Sequence, residues 1–457
     1  MSTQHNLKKT DSSSNALLQL ITRLHFYVGL FVGPFIFVAA LTGVLYIITP
    51  QLESAIYKDA LTTQTTGEYK TLTAQIAAAK SNLETELKLF AVRPAPEQGD
   101  TTRIMFLDPT AGLSGARALF IDPVTLELKG NLAVYGTSGI LPFRTTIDYL
   151  HRQLLLGEFG RYYSELAASW LWFAALGGVF LWIKGGKKNK AEFASRTALL
   201  AKRRRHGQLG LVIFIGLLFV SATGLTWSKW AGGNISEVRK VLGWVTPSVS
   251  LSLTAEKVTM DEHAEHNHHS GHATESQPPV ENDQLFDQVL ASARAAGIDA
   301  AKLEIKPPKS ADKAWFVREI DRSWPSQVDS VAVDPRNMTV ISRSDFETFP
   351  IVAKLIRWGI DAHMGILFGV ANQIVLTVFG LSLCLMILWG YKMWWMRRPA
   401  AGQTAKPLMQ AWSKMTAFGK VTSVVIALFL SICLPVMGVS LLVFLIIDAW
   451  RWKPLSH

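Results

Sequence analysis

The sequence predicts an α-helical integral membrane protein. It would have about five transmembrane helices in a duplicated span–domain–span plan, with two small extracytoplasmic α+β domains. Three observations predict this: long apolar runs, one-sided basic loops and an internal repeat in register. The chain has 457 residues, 49% of them hydrophobic, with a positive mean hydropathy, which is too apolar for an ordinary soluble enzyme. Five runs are long enough to cross a bilayer: Phe26 to Ile48, about Leu166 to Ile183, Leu209 to Trp227, about Ile366 to Trp389, and Val421 to Ile447.

The net charge of +11 could suggest nucleic acid, but its placement argues for a membrane. Lys184, Lys187, Lys188, Lys190, Arg196, Lys202, Arg203, Arg204 and Arg205 lie between runs two and three, against one acid, Glu192. Lys392, Arg397, Arg398, Lys406, Lys414 and Lys420 lie between runs four and five, with no acid. By the positive-inside rule the N-terminus and both basic loops are cytoplasmic and the C-terminus is outside. The polar start followed by a long first run reads as an uncleaved anchor. Cys384 and Cys433 both fall inside runs, and no C-x-x-C-H or iron–sulfur spacing is present.

The chain repeats itself. Asp122-Pro123 begins 29 positions before His151, and Asp334-Pro335 begins 29 before His363. Gly157, Gly178 and Trp182 follow His151 at +6, +27 and +31, and Gly369, Gly390 and Trp394 follow His363 at the same offsets. His25 is followed at +4 by Gly29 and at +17 and +18 by Thr42-Gly43, as His206 is by Gly210 and Thr223-Gly224. Each outer segment reads as a helix (73–81; 284–297) followed by short strands (103–108, 118–123 and 126–130; 314–320, 330–335 and 338–342). The chain therefore divides into a cytoplasmic tail (1–22), a first span (23–49) and an outer domain (50–147). An interfacial helix with the second span (148–184), a basic cytoplasmic loop (185–205) and the third span (206–228) follow. A second outer domain (229–355) carries a His-rich insertion (261–275). Last come an interfacial helix with the fourth span (356–396), a cytoplasmic loop (397–420), a fifth span (421–449) and an outer tail (450–457). Repeats of this kind commonly build their site at the interface of the copies.

Four histidines occupy repeat-equivalent positions near span starts: His25 and His206 on the cytoplasmic side, His151 and His363 on the outer side. Three uses compete. Paired imidazoles can ligate b-type haem in a helix bundle. Histidines can serve a metal or proton pathway, which would need intramembrane acids, and the five runs contain none. They can also be plain interface anchors. Arg23, Arg205 and Arg152 stand within two positions of these histidines and suit haem propionates. Gly29 and Gly210, one turn beyond theirs, would let a flat macrocycle approach. The repeat breaks at His363, which follows Ala362 and whose nearest arginine is Arg357. Two bis-histidine haems, one toward each face, would form an electron path.

The H-x-x-x-G…T-G spans, the D-P strand ends, L-H-R-Q-L-L-L-G-E-F-G (150–160) and L-P-V-M-G-V-S-L-L-V-F-L-I-I-D (434–448) resemble the PepSY-associated transmembrane proteins, also called iron-regulated membrane proteins. The resemblance covers nearly the whole chain. It implies two PepSY-like outer domains in the periplasm of a bacterial inner-membrane protein. It also implies reduction of a ferric siderophore or other ferric chelate, releasing Fe(II) for iron uptake. Some relatives carry a fused flavin reductase module, but no dinucleotide fingerprint is present here. The electron donor would be separate, a quinol or a cytoplasmic reductase.

His263, His266, His268, His269 and His272 form an accessory metal-binding candidate in the insertion. Trp315, Phe316, Trp324, Phe346 and Phe349 read as core aromatics of the second outer domain. Two other functions stay open: a non-enzymatic membrane-anchored binding or regulatory module, and a metal or siderophore permease. No nucleic-acid partner is expected.

Overall fold

The computed structural model describes residues 16–111, 115–135, 139–192, 198–253, 283–397 and 408–451. The chain splits into two compact units. A helical unit comprises Met1–Tyr46, Tyr149–Leu242 and Ile374–His457, and a sheet-bearing unit comprises Ile47–Asp148 and Gly243–Gln373. Each unit draws on both copies of the repeat.

In the sheet unit the expected strands form within a few residues of their predicted places. The first copy gives β1 (Leu89–Arg93), β2 (Thr102–Leu107), β3 (Gly115–Ile121) and β4 (Leu128–Tyr135). The second gives β5 (Leu303–Lys306), β6 (Trp315–Glu319), β7 (Ser330–Val333) and β8 (Val340–Ser344). The two small domains expected from sequence are joined. All eight strands make one sheet, ordered β4-β3-β2-β1-β5-β6-β7-β8. The seam is antiparallel, with Val92 opposite Ile305. Neither β1 nor β5 was among the strands predicted, and these two close the seam.

Alternation along the strands gives the sheet two faces. Val92, Ile104, Leu119, Ile305 and Val317 are buried on one, together with Ile76, Phe286, Val289 and Ala293 from two helices. These helices are α4 (Leu72–Ser81) and α10 (Phe286–Ala295). Each such aliphatic or aromatic side chain contributes about 1.5–3 kcal/mol when fully buried. The Phe286 and Trp315 rings meet edge to face at 4.7 Å. The two helices are also tied at their ends. Asp287 of α10 accepts from the Leu72 N–H at 2.7 Å and the Thr73 N–H at 3.1 Å, capping α4 from the other copy.

The D-P motifs are turn formers. Leu126 N–H donates to the Asp122 carbonyl and Met338 N–H to the Asp334 carbonyl, each at 2.9 Å. Leu126 and Met338 take positive φ of 66° and 58°. The Asp122 carboxylate also receives the Val124 and Thr125 N–H groups, and that of Asp334 receives the Arg336 N–H.

Between the spans and the sheet the chain forms α2 (Thr49–Ile56), α3 (Lys58–Leu61) and α5 (Pro142–Gln153) in the first copy, and α11 (Ile351–His363) in the second. The helical unit is built on α1 (Ala16–Ile47), α6 (Gly157–Glu192) and α12 (Gly369–Arg397). All three are long and apolar enough to cross a membrane. α7 (Ala198–Val212) and α8 (Phe214–Thr226), bent by 60° at Ile213, make a fourth where the pair counts as one broken span. α1 widens to a π turn at Val28–Val32, directly after His25. π turns of this kind recur at functional sites.

The fifth span, expected as one run over 421–449, is two helices. α14 (Ala417–Cys433) and α15 (Pro435–Arg451) meet at Leu434. Asp448 near the end of α15 caps α13 (Leu408–Ser413), the helix just before α14, through the Leu408 and Met409 N–H groups at 2.8 and 2.9 Å. A straight continuation of 17 residues in each helix would carry Asp448 about 50 Å from that point, so the pair folds back as a hairpin. Pro435, in the first turn of α15, explains the break, because proline cannot continue a helix from the preceding turn. A second carboxylate acts similarly. Glu165 of α6 caps α9 (Trp230–Val241) through the Trp230 and Ala231 N–H groups at 2.9 and 3.0 Å. The apolar runs read from sequence stop one residue short of each acid, yet Glu165 is 0% and Asp448 1% exposed.

Candidate functional site

Three of the four repeat histidines lie in the helical unit, and each is seated against a glycine of another helix. An added Cβ at Gly178 of α6 would stand 3.4 Å from His25 Cε1. One at Gly390 of α12 would stand 3.8 Å from His206 Cε1, and one at Gly43 of α1 would stand 3.3 Å from His151 Cε1. These glycines are the residues that the sequence offsets single out, at +27 and +18. Their role as seats was not foreseen, because the offset shows recurrence and not which helix faces which.

The rings are held in a common way. His206 Nδ1 lies 3.0 Å from the Met386 carbonyl, and His151 Nδ1 lies 3.1 Å from Thr42 Oγ1. His25 turns the same edge toward α6, where an added Cβ at Gly177 would be 3.7 Å from Nδ1. That Nδ1 is buried and faces the backbone carbonyl of Ala174, one turn before Gly178. In each ring the Nδ1–Cε1 edge meets the glycine-bearing helix, so Cδ2 faces the other way and Nε2 is left for a ligand. Anchoring one imidazole nitrogen to fix tautomer and orientation is what metal-ligating histidines need. His25 and His206, from equivalent spans of the two copies, lie close enough for His206 to act electrostatically on His25.

His363 ends α11 in the sheet unit. Burial pushes its pKa down to about 4. Asp361, 0% exposed, stands two residues before it and pairs with Arg322 and Arg357. Asn372 Nδ2 donates to the Ala362 carbonyl at 3.0 Å. His151 and His363 fall in different compact units, and their pairing remains a proposal.

The flanking residues differ among themselves. Arg23 donates to Gln410 Oε1 at 3.3 Å, and its Nη1 is buried without a partner. Arg152 lies over the Tyr149 ring at 5.7 Å. Arg205 is exposed. Gly29 lies in the π turn with nothing within 4 Å of an added Cβ, whereas Gly210 meets Met386 Sδ at 3.3 Å. Gly210 thus packs helix against helix. Of the aromatics assigned to the core, Trp315 is buried at 1% exposure, but Trp324 is 55% exposed beside Trp358 and Phe368. The five insertion histidines lie outside the described residues. Among the described residues no group of three or more His, Cys, Asp or Glu is arranged to hold a metal ion.

The PepSY-associated TM region family model matches residues 22–397. The chain belongs to this family. The match runs from the residue before Arg23 to the end of α12, so it includes all four repeat histidines, their three glycine seats and the whole sheet. Membrane-crossing helices and this family together make it a membrane protein. No curated protein sequence matches it.

The residues present fit a haem. A His25 ring whose Nδ1 edge faces the Ala174 carbonyl, a backbone-anchored ring on His206, glycine seats behind both and an unpartnered buried guanidinium nitrogen on Arg23 suit a bis-imidazole site with a nearby propionate. Bound there, haem would supply one-electron transfer.

Proposed function

We propose that this PepSY-associated TM protein is a di-haem b oxidoreductase of the bacterial inner membrane. It passes electrons across the membrane to a ferric siderophore or other ferric chelate in the periplasm, and Fe(II) is released for uptake. The carrying observation is the convergence of His25 and His206, one from each copy, onto one region of the helical unit. His25 and His206 would hold the inner haem, and His151 and His363 the outer one. Electrons enter from a quinol or a cytoplasmic reductase.

The chain's own contribution is placement. The glycine seats fix ring positions, the Nδ1 anchors fix tautomer, and the apolar bundle keeps water away from the redox path. The two buried acids among the described residues of the helical unit, Glu165 and Asp448, are both used as helix caps. That speaks against a permease, whose pathway needs carboxylates that can change partners. The positive-inside pattern supports a cytoplasmic N-terminus, with the sheet unit in the periplasm. The α14–α15 hairpin supports a C-terminus returned to the cytoplasmic side, in place of the outer tail that one continuous span would give.

The test is an absorption spectrum of detergent-purified protein, oxidised and dithionite-reduced, with a pyridine haemochromogen count. Two b-type haems per chain are expected. Colourless protein from haem-replete cells would remove the reductase reading and leave a membrane-anchored binding module.

A further inference from the structure

The repeat breaks beside His363, and another part of the same copy fills the gap. In the first copy Arg152 follows His151, and its guanidinium lies 5.7 Å from the centre of the Tyr149 ring. Residues three apart on a helix share a face, so Tyr149 and Arg152 project together from α5. The copies are offset here by 212 positions, since 363 − 151 = 212. Asp361 therefore stands for Tyr149, and Met364 for Arg152. The second copy has lost its cation from the helix.

Arg322 brings one back from the loop between β6 and β7. Its Nε donates to Asp361 Oδ1 at 2.6 Å, and its Nη2 pairs with the same oxygen. Nη2 also stands 3.5 Å from Met364 Sδ. One guanidinium thus meets both side chains that replace the Tyr149–Arg152 pair. Asp361 is a rigid mount for it, being 0% exposed, with Arg357 Nε 3.2 Å from its other oxygen. The loop has further ties to the end of α11 and the start of α12. The Trp324 N–H donates to the Leu367 carbonyl at 2.7 Å, and the Trp324 ring packs on Trp358 and Phe368. The Ser323 N–H donates to Asp321 Oδ1 at 3.0 Å, closing the turn that carries Arg322. The corresponding loop of the first copy, D-P-T-A-G-L-S (108–114), contains no arginine. Each copy therefore brings a guanidinium to the same place beside its histidine, the first from the helix and the second from the loop.

We propose that Arg322 takes the place of Arg152 in the second copy, as the cation for a propionate of the haem that His363 would help to hold. The assignment rests on the reductase reading. Arginine forks match carboxylate oxygens in pairs. Asp361 is a positioning residue and acts through Arg322. A cation in this place also tunes the potential. Oxidised haem carries one more positive charge than reduced haem, so a nearby cation favours the reduced form.

The test is a redox titration of the full-length protein in detergent, followed at the haem absorption bands. Haem is counted separately by pyridine haemochromogen, and circular dichroism confirms that each variant is folded. Arg322→Gln should lower one of the two midpoint potentials and leave the other in place, whereas Arg322→Lys should keep most of the wild-type value. Adding Met364→Arg to Arg322→Gln should restore the lowered potential, which a mere loop brace would not do. In the wild-type background Met364→Arg alone should raise that same potential. Unchanged potentials in a folded Arg322→Gln variant that holds two haems, or a shift that Met364→Arg does not reverse, would overturn the assignment alone. Should Arg322→Gln not fold, an unmoved potential in Met364→Arg overturns it. Wild-type protein without haem would instead remove the reductase reading, and this assignment with it.

Discussion

Asp287 accepts the Thr73 hydroxyl at 2.7 Å across 214 positions of sequence. With the Leu72 and Thr73 N–H groups on the same carboxylate, one side chain of the second copy starts a helix of the first. Replacing an N-cap carboxylate by alanine typically costs about 1 kcal/mol, and this one also ties two helices. Asp287→Ala should destabilise the sheet unit by about 1–2 kcal/mol, read as a lower thermal midpoint with haem content unchanged. An unchanged midpoint would show that the sheet seam alone holds the copies.

The histidine seats make a steric prediction. Gly178→Leu places a branched side chain where His25 Cε1 already stands 3.4 Å from an added Cβ. It should cost one of the two proposed haems, as His25→Ala and His206→Ala should. Gly390→Ala, with 3.8 Å of room, should keep both. Pyridine haemochromogen counts decide the matter. A full count in Gly178→Leu would mean that His25 is not held as described.

Glu304 gives an acid limb to stability. Burial works to raise its pKa, but Arg93, Arg318 and Lys306 outweigh it and hold the carboxyl down at about 2. A folded pKa below the unfolded one means that stabilisation is full above about 4.5 and is lost as pH falls toward about 2. Lys306 acts at the other end. Its folded pKa of about 8 lies below the ordinary lysine value of 10.5, so the cost of burying its charge is full below about 8 and relieved as pH rises toward 10.5. Denaturant titrations across pH should show a steep acid loss that Glu304→Gln flattens. An equally steep loss in a folded Glu304→Gln variant would assign the limb elsewhere.

The terminal hairpin makes a prediction about the side of the C-terminus. Asn234 of α9 donates to the Ile432 carbonyl at 2.9 Å at the turn, while Tyr27 of α1 donates to Asp448 at 2.5 Å at the open end. A fluorescent reporter that matures only in the cytoplasm should therefore be bright when fused after the last residue, and an alkaline phosphatase fusion should be inactive. The reverse pattern would restore a single fifth span.

Much of this could be read from sequence, and the parts that could not share a cause. The repeat offsets located His25, His151, His206 and His363, the D-P turns and the seat glycines, because equivalent structural demands recur at equal spacing. Period-two alternation located six strands. β1 and β5 lack it over enough residues: Leu89–Arg93 buries three of its five residues in an irregular pattern, and Leu303–Lys306 has only four residues. Their pairing joins Arg93 to Glu304 over 211 positions, beyond any local signal. The hairpin was hidden because Leu434-Pro435 sits inside an unbroken apolar run, and Glu165 and Asp448 escaped notice by standing at the ends of such runs.

The seam also orders events during synthesis. Until β5 has been made, β1 has β2 on one side and open N–H and C=O groups on the other, an edge able to accept any strand that arrives first. Where many copies are made at once, that strand can come from a neighbouring chain. A nascent chain paused or cleaved within the stretch before Leu303 would be a strand-exchanged dimer in waiting, and its partner would be another molecule's second half.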